Sequence, residues 1–199
     1  MYKVLFVTSE VTPFSKTGGL ADVSGALPAA LATAGCDVRI VTPFYGFIDL
    51  DQFDFPSATL LTARTIDLHG RAQPYRFRRV VLNRRHEVFF VECDPLYDRP
   101  GVYVDPFTNQ DYIDNDYRFI LLSRAALELC RVSEWIPDVI HCNDWQTGLV
   151  PYFAYQIKRA GEWKRTRTLL TIHNIAYHGL FGTETLHRIS GEVPQYYTP

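Results

Sequence analysis

The sequence predicts an α/β domain built on an open, mostly parallel sheet with helices on both faces. Short apolar runs that read as buried strands, such as Tyr2–Thr8 and Asp37–Thr42, alternate with longer stretches of helical apolar spacing. The order β-α-β, then a meander, then α-β-α-β suits a sheet wound by crossover helices. Polar clusters follow the strands, at the edge where open parallel sheets bind ligands.

Taken in order, strand Tyr2–Thr8 leads through Ser15-Lys16-Thr17-Gly18-Gly19-Leu20 into a helix over about Leu20–Ala34. Leu20, Val23, Leu27, Leu31 and Ala34 form its apolar stripe, Pro28 is expected to kink it or lie near its first turns, and Gly35 to stop it. After Asp37–Thr42 the character changes. Residues 59–92 read as an antiparallel hairpin excursion with extended segments Thr59–Leu68, Tyr75–Leu82 and Glu87–Glu92, the last two joined through Asn83-Arg84-Arg85-His86. Arg76, Arg78, Arg79, Arg84 and Arg85 alternate with apolar residues as the wet face of that hairpin. The stretch 94–113 reads as a long loop, with Tyr97, Tyr103, Phe107 and Tyr112 arguing against disorder. Asp114 or Asn115 caps a helix to about Val132 that buries Phe119, Leu122, Ala126, Leu129 and Cys130. Strand Asp138–Cys142, helix Thr147–Arg159 and strand Thr168–Ile172 complete the pattern. Glu192–Pro199 closes no element and suggests a fragment of a longer chain.

With 199 residues, 47% hydrophobic and 21% charged, the chain fits one soluble domain with a sizeable core. A net charge of −2 demands no basic face, so nucleic acid is not expected as a partner. Cys36, Cys93, Cys130 and Cys142 lack ligand spacing and read as reduced structural thiols. No apolar stretch is long enough to cross a membrane and Met1 runs straight into the first strand, so a cytoplasmic setting is expected.

Chemistry concentrates at three strand ends. After the first come Ser9-Glu10 and the lysine-glycine loop. There a helix N-terminus, close backbone approach at Gly18 and Gly19, and the Lys16 charge are the parts of an anion site. The second ends in His141-Cys142-Asn143-Asp144-Trp145-Gln146 and the third in His173-Asn174. From pattern alone each member has a plainer role: Lys16 exposed beside a flexible turn, Asp144 capping a helix, Trp145 packing, His173 bonding a carbonyl. A metal set of His141, Asp144 and His173 matches no known metal signature. The Gly-x-Ser-x-Gly, Gly-x-Gly-x-x-Gly and P-loop patterns are absent, which weighs against a hydrolase, a dinucleotide enzyme and a P-loop NTPase.

Four segments together are more specific: Val7-Thr-Ser-Glu-x-x-Pro-Phe-x-Lys-Thr-Gly-Gly-Leu-Ala-Asp-Val23, Leu96-Tyr-Asp-Arg-Pro-Gly101, His141-Cys-Asn-Asp-Trp-Gln-Thr-Gly148 and Thr171-Ile-His-Asn-Ile-Ala-Tyr-His-Gly179. In this order they resemble bacterial glycogen synthases and plant starch synthases, over residues 2 to at least 182. The resemblance implies the N-terminal Rossmann-like domain, residues 1–199, of a two-domain GT-B enzyme, with the C-terminal domain absent. It implies transfer of glucose from ADP-glucose (or UDP-glucose) to the non-reducing end of an α-1,4-glucan, with retention and no metal or other cofactor. By motif matching, Lys16, Gly18 and Gly19 would meet the donor, with Asp22 nearby. Asp144 and His173 would act at the transferred sugar beside Asn174, Tyr112 would line the same cleft, and Trp145 and Gln146 are expected among the substrate-binding residues. Where the family commonly carries histidine this chain has Gln146, which can hydrogen-bond but cannot carry a proton. The fragment alone is expected to be inactive. The alternatives are another GT-B nucleotide-sugar enzyme or a carbohydrate-binding module that has lost catalysis.

Overall fold

The computed structural model describes residues 1–53, 59–61, 63–68 and 70–190, so Glu192–Pro199 lies outside the described residues. Strand β1 (Lys3–Val7), helix α1 (Gly19–Thr33) and strand β2 (Asp37–Pro43) form the first crossover unit. Strands β3 (Thr59–Leu60), β4 (Arg64–Asp67), β5 (Ala72–Asn83) and β6 (His86–Glu92) form the meander. The 94–113 stretch holds a one-turn helix α2 (Asp94–Tyr97) and a small hairpin of β7 (Val104–Asp105) and β8 (Gln110–Asp111). Then come α3 (Asn115–Val132), β9 (Val139–Asn143), α4 (Val150–Arg159), β10 (Arg167–Thr171) and α5 (Glu184–Ser190).

Eight strands share one sheet in the order β10-β9-β1-β2-β6-β5-β3, with β4 also on β5. From β10 to β6 every neighbouring pair is parallel, while β5 runs antiparallel to β6, β3 and β4. The hairpin is thus a lateral extension of the main sheet, because β6 docks directly on β2. Its tight turn is set by Asn83, whose side chain accepts from Arg85 N at 2.9 Å. The arginines pair along the strands as a wet face would: Arg76 and Arg78 both reach Glu92, at 2.7 and 3.1 Å, and Arg79 pairs with Glu87.

Chain order and right-handed crossovers put α1 on one face and α3 with α4 on the other. Leu5, Phe6 and Val7 on β1, and Ile140 and Cys142 on β9, are buried between those layers. Helix α1 stops as expected: Gly35 takes φ +95°, and Gly35 N and Cys36 N donate to Ala32 O and Leu31 O, each at 3.0 Å. It runs unbroken through Pro28, well inside the helix. Its buried stripe is rotated from the expected one. Leu20, Ala21, Ser24, Pro28 and Ala32 face inward, Leu27 and Leu31 are half-buried, and Val23 and Ala34 are exposed. The cause is close docking on residues 8–12. Ser24 Oγ lies 2.9 Å from Thr8 Oγ1, and a Cβ on Gly25 would sit 2.1 Å from Thr12 Oγ1. Only small residues fit such an approach, so they displace the leucines from the centre of the face.

Helix α3 buries all five predicted residues and most of its remaining surface. Asp114 precedes it without capping it, because its carboxylate takes a two-pronged contact from Arg99 at 2.7 and 2.6 Å. The loop before it is ordered by a buried cation. Arg118 Nε and Nη1 donate to Leu96 O and Val102 O at 2.8 Å, and the guanidinium lies over the rings of Tyr112 and Phe119. All four cysteines are free, and burial pushes the Cys93 thiol up to about 11 and those of Cys130 and Cys142 to about 12.

Candidate functional site

Three neighbouring strands deliver their polar ends to one edge. Val7 and Leu170 both align with Cys142, and Thr171 aligns with Asn143, so residues just after β1, β9 and β10 emerge side by side. Asn143 ties them together. Its side-chain NH2 donates to Val7 O at 3.0 Å and His141 O at 3.3 Å, leaving Oδ1 3.0 Å from His173 Nε2. Because both carbonyls can only accept, Oδ1 must face the imidazole, and His173 Nε2 must donate to it. In the neutral ring this makes Nδ1 the acceptor. Asp144 completes the cluster in a left-handed backbone conformation, φ 57°, which a non-glycine residue holds only under strong local constraint. The constraint is visible: Asp144 N donates to Thr171 O at 2.8 Å, and Asp144 Oδ1 accepts from His173 N at 2.6 Å and Asn174 N at 3.4 Å. The aspartate therefore bridges β9 to the chain leaving β10 instead of capping the following 3-10 turn.

Beneath the lysine-glycine loop lies Glu10, 2% exposed. Its Oε1 accepts from Thr17 Oγ1 at 2.7 Å and Tyr103 Oη at 2.6 Å, while Oε2 accepts from Thr17 N and, at 3.3 Å, Gly18 N. The N–H of Gly18 thus turns inward to an internal carboxylate. What the glycines offer is room. Neither has a positive φ, and a Cβ built on Gly18 or Gly19 would meet nothing within 4 Å. The chain's own packing gives no reason for two glycines there. Lys16 Nζ lies 2.7 and 2.8 Å from the Asp22 carboxylate, both side chains more than half exposed.

The structure joins Asp144, His173 and Asn174 through hydrogen bonds and pairs Lys16 with Asp22. Among the described residues no hydrogen bond or ion pair links the two groups. Trp145 packs edge-on against Phe119, and the Gly179 backbone, φ +62°, lies so close that a Cβ there would be 2.3 Å from the indole. Gln146 is buried, its Oε1 has no partner among the described residues, and it lines a cavity of about 280 Å³ with Trp145, Phe181 and Leu186. Tyr112 belongs to loop packing: its ring lies against Arg99 and Arg118 and its hydroxyl accepts from Gly101 N at 3.2 Å. Sequence reasoning gave no role to Glu10, Tyr103 or Asn143. The available signal was a carboxylate and an amide at the ends of apolar strands, where buried polar groups must find partners.

Burial, then the neighbouring His173, lowers the His141 pKa, and His141 Nε2 meets Thr171 Oγ1 at 2.8 Å. Burial and the adjacent Tyr45 and Glu10 push the Tyr103 phenol well above its usual value, so it stays a donor to Glu10.

The sequence model of the starch synthase catalytic domain family matches residues 3–198. The chain is 42% identical over 180 residues to a glycogen synthase of Photobacterium profundum, covering 90% of this chain and 34% of that protein. It is 40% identical over 185 residues to one of Aeromonas salmonicida, covering 92% and 37%. The chain therefore spans about a third of the length of these curated relatives. Among solved structures it superposes with a TM-score of 0.82, at 28% identity, on the catalytic domain of starch synthase IV from Arabidopsis thaliana bound to ADP and acarbose. That match covers 96% of this chain and 38% of that one. The strand-end cluster thus sits on a family scaffold, and the chain belongs to the starch synthase catalytic domain family.

Proposed function

We propose that residues 1–199 form the N-terminal Rossmann-like half of a GT-B glycogen or starch synthase. It transfers glucose from ADP-glucose, with UDP-glucose as the alternative donor, to the non-reducing end of an α-1,4-glucan with retention. The observation that carries the reading is the chemical polarity of the strand-end crevice. At β1 stand a cation, Lys16, and two glycines with open space above them. At β9 and β10 stand acceptors: the inferred free Nδ1 of His173 and the second oxygen of Asp144, whose partner oxygen is already bonded. A sugar nucleotide has the matching halves, an anionic diphosphate and a ring of hydroxyl donors.

Departure of the diphosphate builds negative charge on it and positive charge on the sugar ring. Lys16 would stabilise the first by exchanging Asp22 for phosphate, and Asp144 would steady the second. His173, held by Asn143, would orient a glucose hydroxyl. The C-terminal domain of the same protein would close the cleft and supply further cations, so residues 1–199 alone would not make glucan. The four free thiols support a reducing, cytoplasmic setting.

The test is incubation of the full-length protein with labelled ADP-glucose and glycogen. Label is expected in the polymer, and Lys16→Ala or His173→Ala is expected to lower kcat at least ~100-fold, the scale of losing one transition-state contact. Near-normal turnover in either variant overturns that residue's role, and a wild type that leaves glycogen unlabelled overturns the reading.

A further inference from the structure

We propose that Glu10 is the positioning residue of the lysine-glycine loop, which it holds by hydrogen-bond geometry and not by its charge. The inference rests on the functional reading above for the loop's task, but the placement stands on its own contacts. Among the described residues the carboxylate accepts four hydrogen bonds, three from Thr17 and Gly18 and the fourth from the Tyr103 hydroxyl. The Thr17 and Gly18 N–H groups are drawn inward, leaving Lys16 and the open side of both glycines toward solvent. The anchor has a rigid backing. Tyr103 Oη also meets Ser9 Oγ at 2.6 Å, Tyr103 O accepts from Asn115 Nδ2 at 2.9 Å, and Arg118 holds Val102 O. One buried side chain thus ties the loop after β1, through Tyr103, to the first residue of helix α3.

A negative charge under a loop meant for an anion would oppose binding, so the charge itself is not the useful property. The bond pattern allows the two to be separated. Oε2 receives both backbone N–H groups, whereas Oε1 faces only hydroxyls, and a hydroxyl can accept as well as donate. Glutamine can therefore replace Glu10 with its oxygen toward the N–H groups and its NH2 toward Thr17 Oγ1 and Tyr103 Oη. Alanine cannot, and aspartate is one methylene too short.

The experiment uses the full-length enzyme carrying Glu10→Gln, Glu10→Asp or Glu10→Ala, with two readouts. In glucosyl transfer, Glu10→Ala and Glu10→Asp should lower kcat/KM by on the order of 10²-fold, the effect of misplacing a catalytic group by about 1 Å. Glu10→Gln should stay within about threefold of wild type. In hydrogen exchange, the Thr17 and Gly18 amides should lose protection at least ~10-fold in Glu10→Ala while Leu5–Val7 stay protected, and keep it in Glu10→Gln. Unchanged activity in Glu10→Ala, or equal losses in Glu10→Ala and Glu10→Gln, overturns the proposal. If Glu10→Ala unfolds, the contrast between Glu10→Gln and Glu10→Asp decides. If wild type transfers no glucose, the functional reading fails, and exchange at Thr17 and Gly18 still judges Glu10.

Discussion

His86 and His141 show how single residues set the conditions under which this fold holds. Burial lowers the pKa of both from the ordinary 6.5, and the Nε2 of His86 is buried without a partner among the described residues. The sign follows from proton counting. Between the folded pKa and 6.5 the unfolded chain binds protons that the native chain refuses, so stability rises with pH across that window. Well above 6.5 neither state is charged at these sites and the effect vanishes. Denaturant unfolding from about pH 7.5 down to about pH 5.5 should show stability falling only below the ordinary histidine value, by at most about 1.4 kcal/mol per pH unit for each group. His86→Leu should flatten part of that slope and leave stability at neutral pH equal or higher, since an unpaired buried nitrogen is removed. A slope unchanged in His86→Leu would exclude His86 as a contributor.

Among the elements, helix α1 separates what a sequence discloses from what it conceals. Its limits were readable because Gly35 stops it with the expected left-handed turn, and the alternation of strands and helices gave the sheet. Its rotation was not, since the spacing of Leu20, Val23, Leu27 and Leu31 cannot reveal that Thr8 and Thr12 approach the opposite residues. The site divides in the same way. Lys16, Asp144 and His173 stood out as charged or titratable groups at strand ends, whereas Glu10 and Asn143 act through partners distant in sequence, Tyr103 and His173. Gly25 makes the packing testable. Glycine to alanine inside a helix ordinarily stabilises by about 1 kcal/mol. Here the new methyl would meet Thr12 Oγ1 at 2.1 Å and Thr12 O at 3.1 Å, the second being backbone that cannot rotate away. Gly25→Ala should therefore destabilise by about 1–3 kcal/mol, the range for overpacking. Thermal unfolding reads this as a loss of roughly 2–4 °C per kcal/mol. A raised Tm would show that α1 can lift off the 8–12 segment at no cost.

At the scale of the whole molecule, the charge available at the crevice decides how tightly residues 1–199 would hold the proposed sugar nucleotide unaided. The cation at the lysine-glycine loop is Lys16, which is solvent-exposed and already paired with Asp22. Exchanging one exposed carboxylate for a phosphate in water gains at most about 0–1 kcal/mol. The N-terminus of α1 adds about 0.3–1 kcal/mol, and about 2 kcal/mol at best. Millimolar affinity already requires about 4 kcal/mol. The flank at β10 is equally unfinished: Leu169 and Leu170 are 51% and 45% exposed, so both faces of this strand meet solvent, whereas Ile140 and Cys142 on neighbouring β9 are buried. A site with one neutralised cation beside an uncovered strand should bind ADP-glucose more weakly than about 1 mM. Titration calorimetry on residues 1–199 at about 0.1 mM protein should accordingly detect no saturable heat, while the full-length protein should bind. Micromolar binding by residues 1–199 would mean that these groups, together with the open faces of Gly18 and Gly19, already complete the donor site, and the need for cations from a second domain would fall.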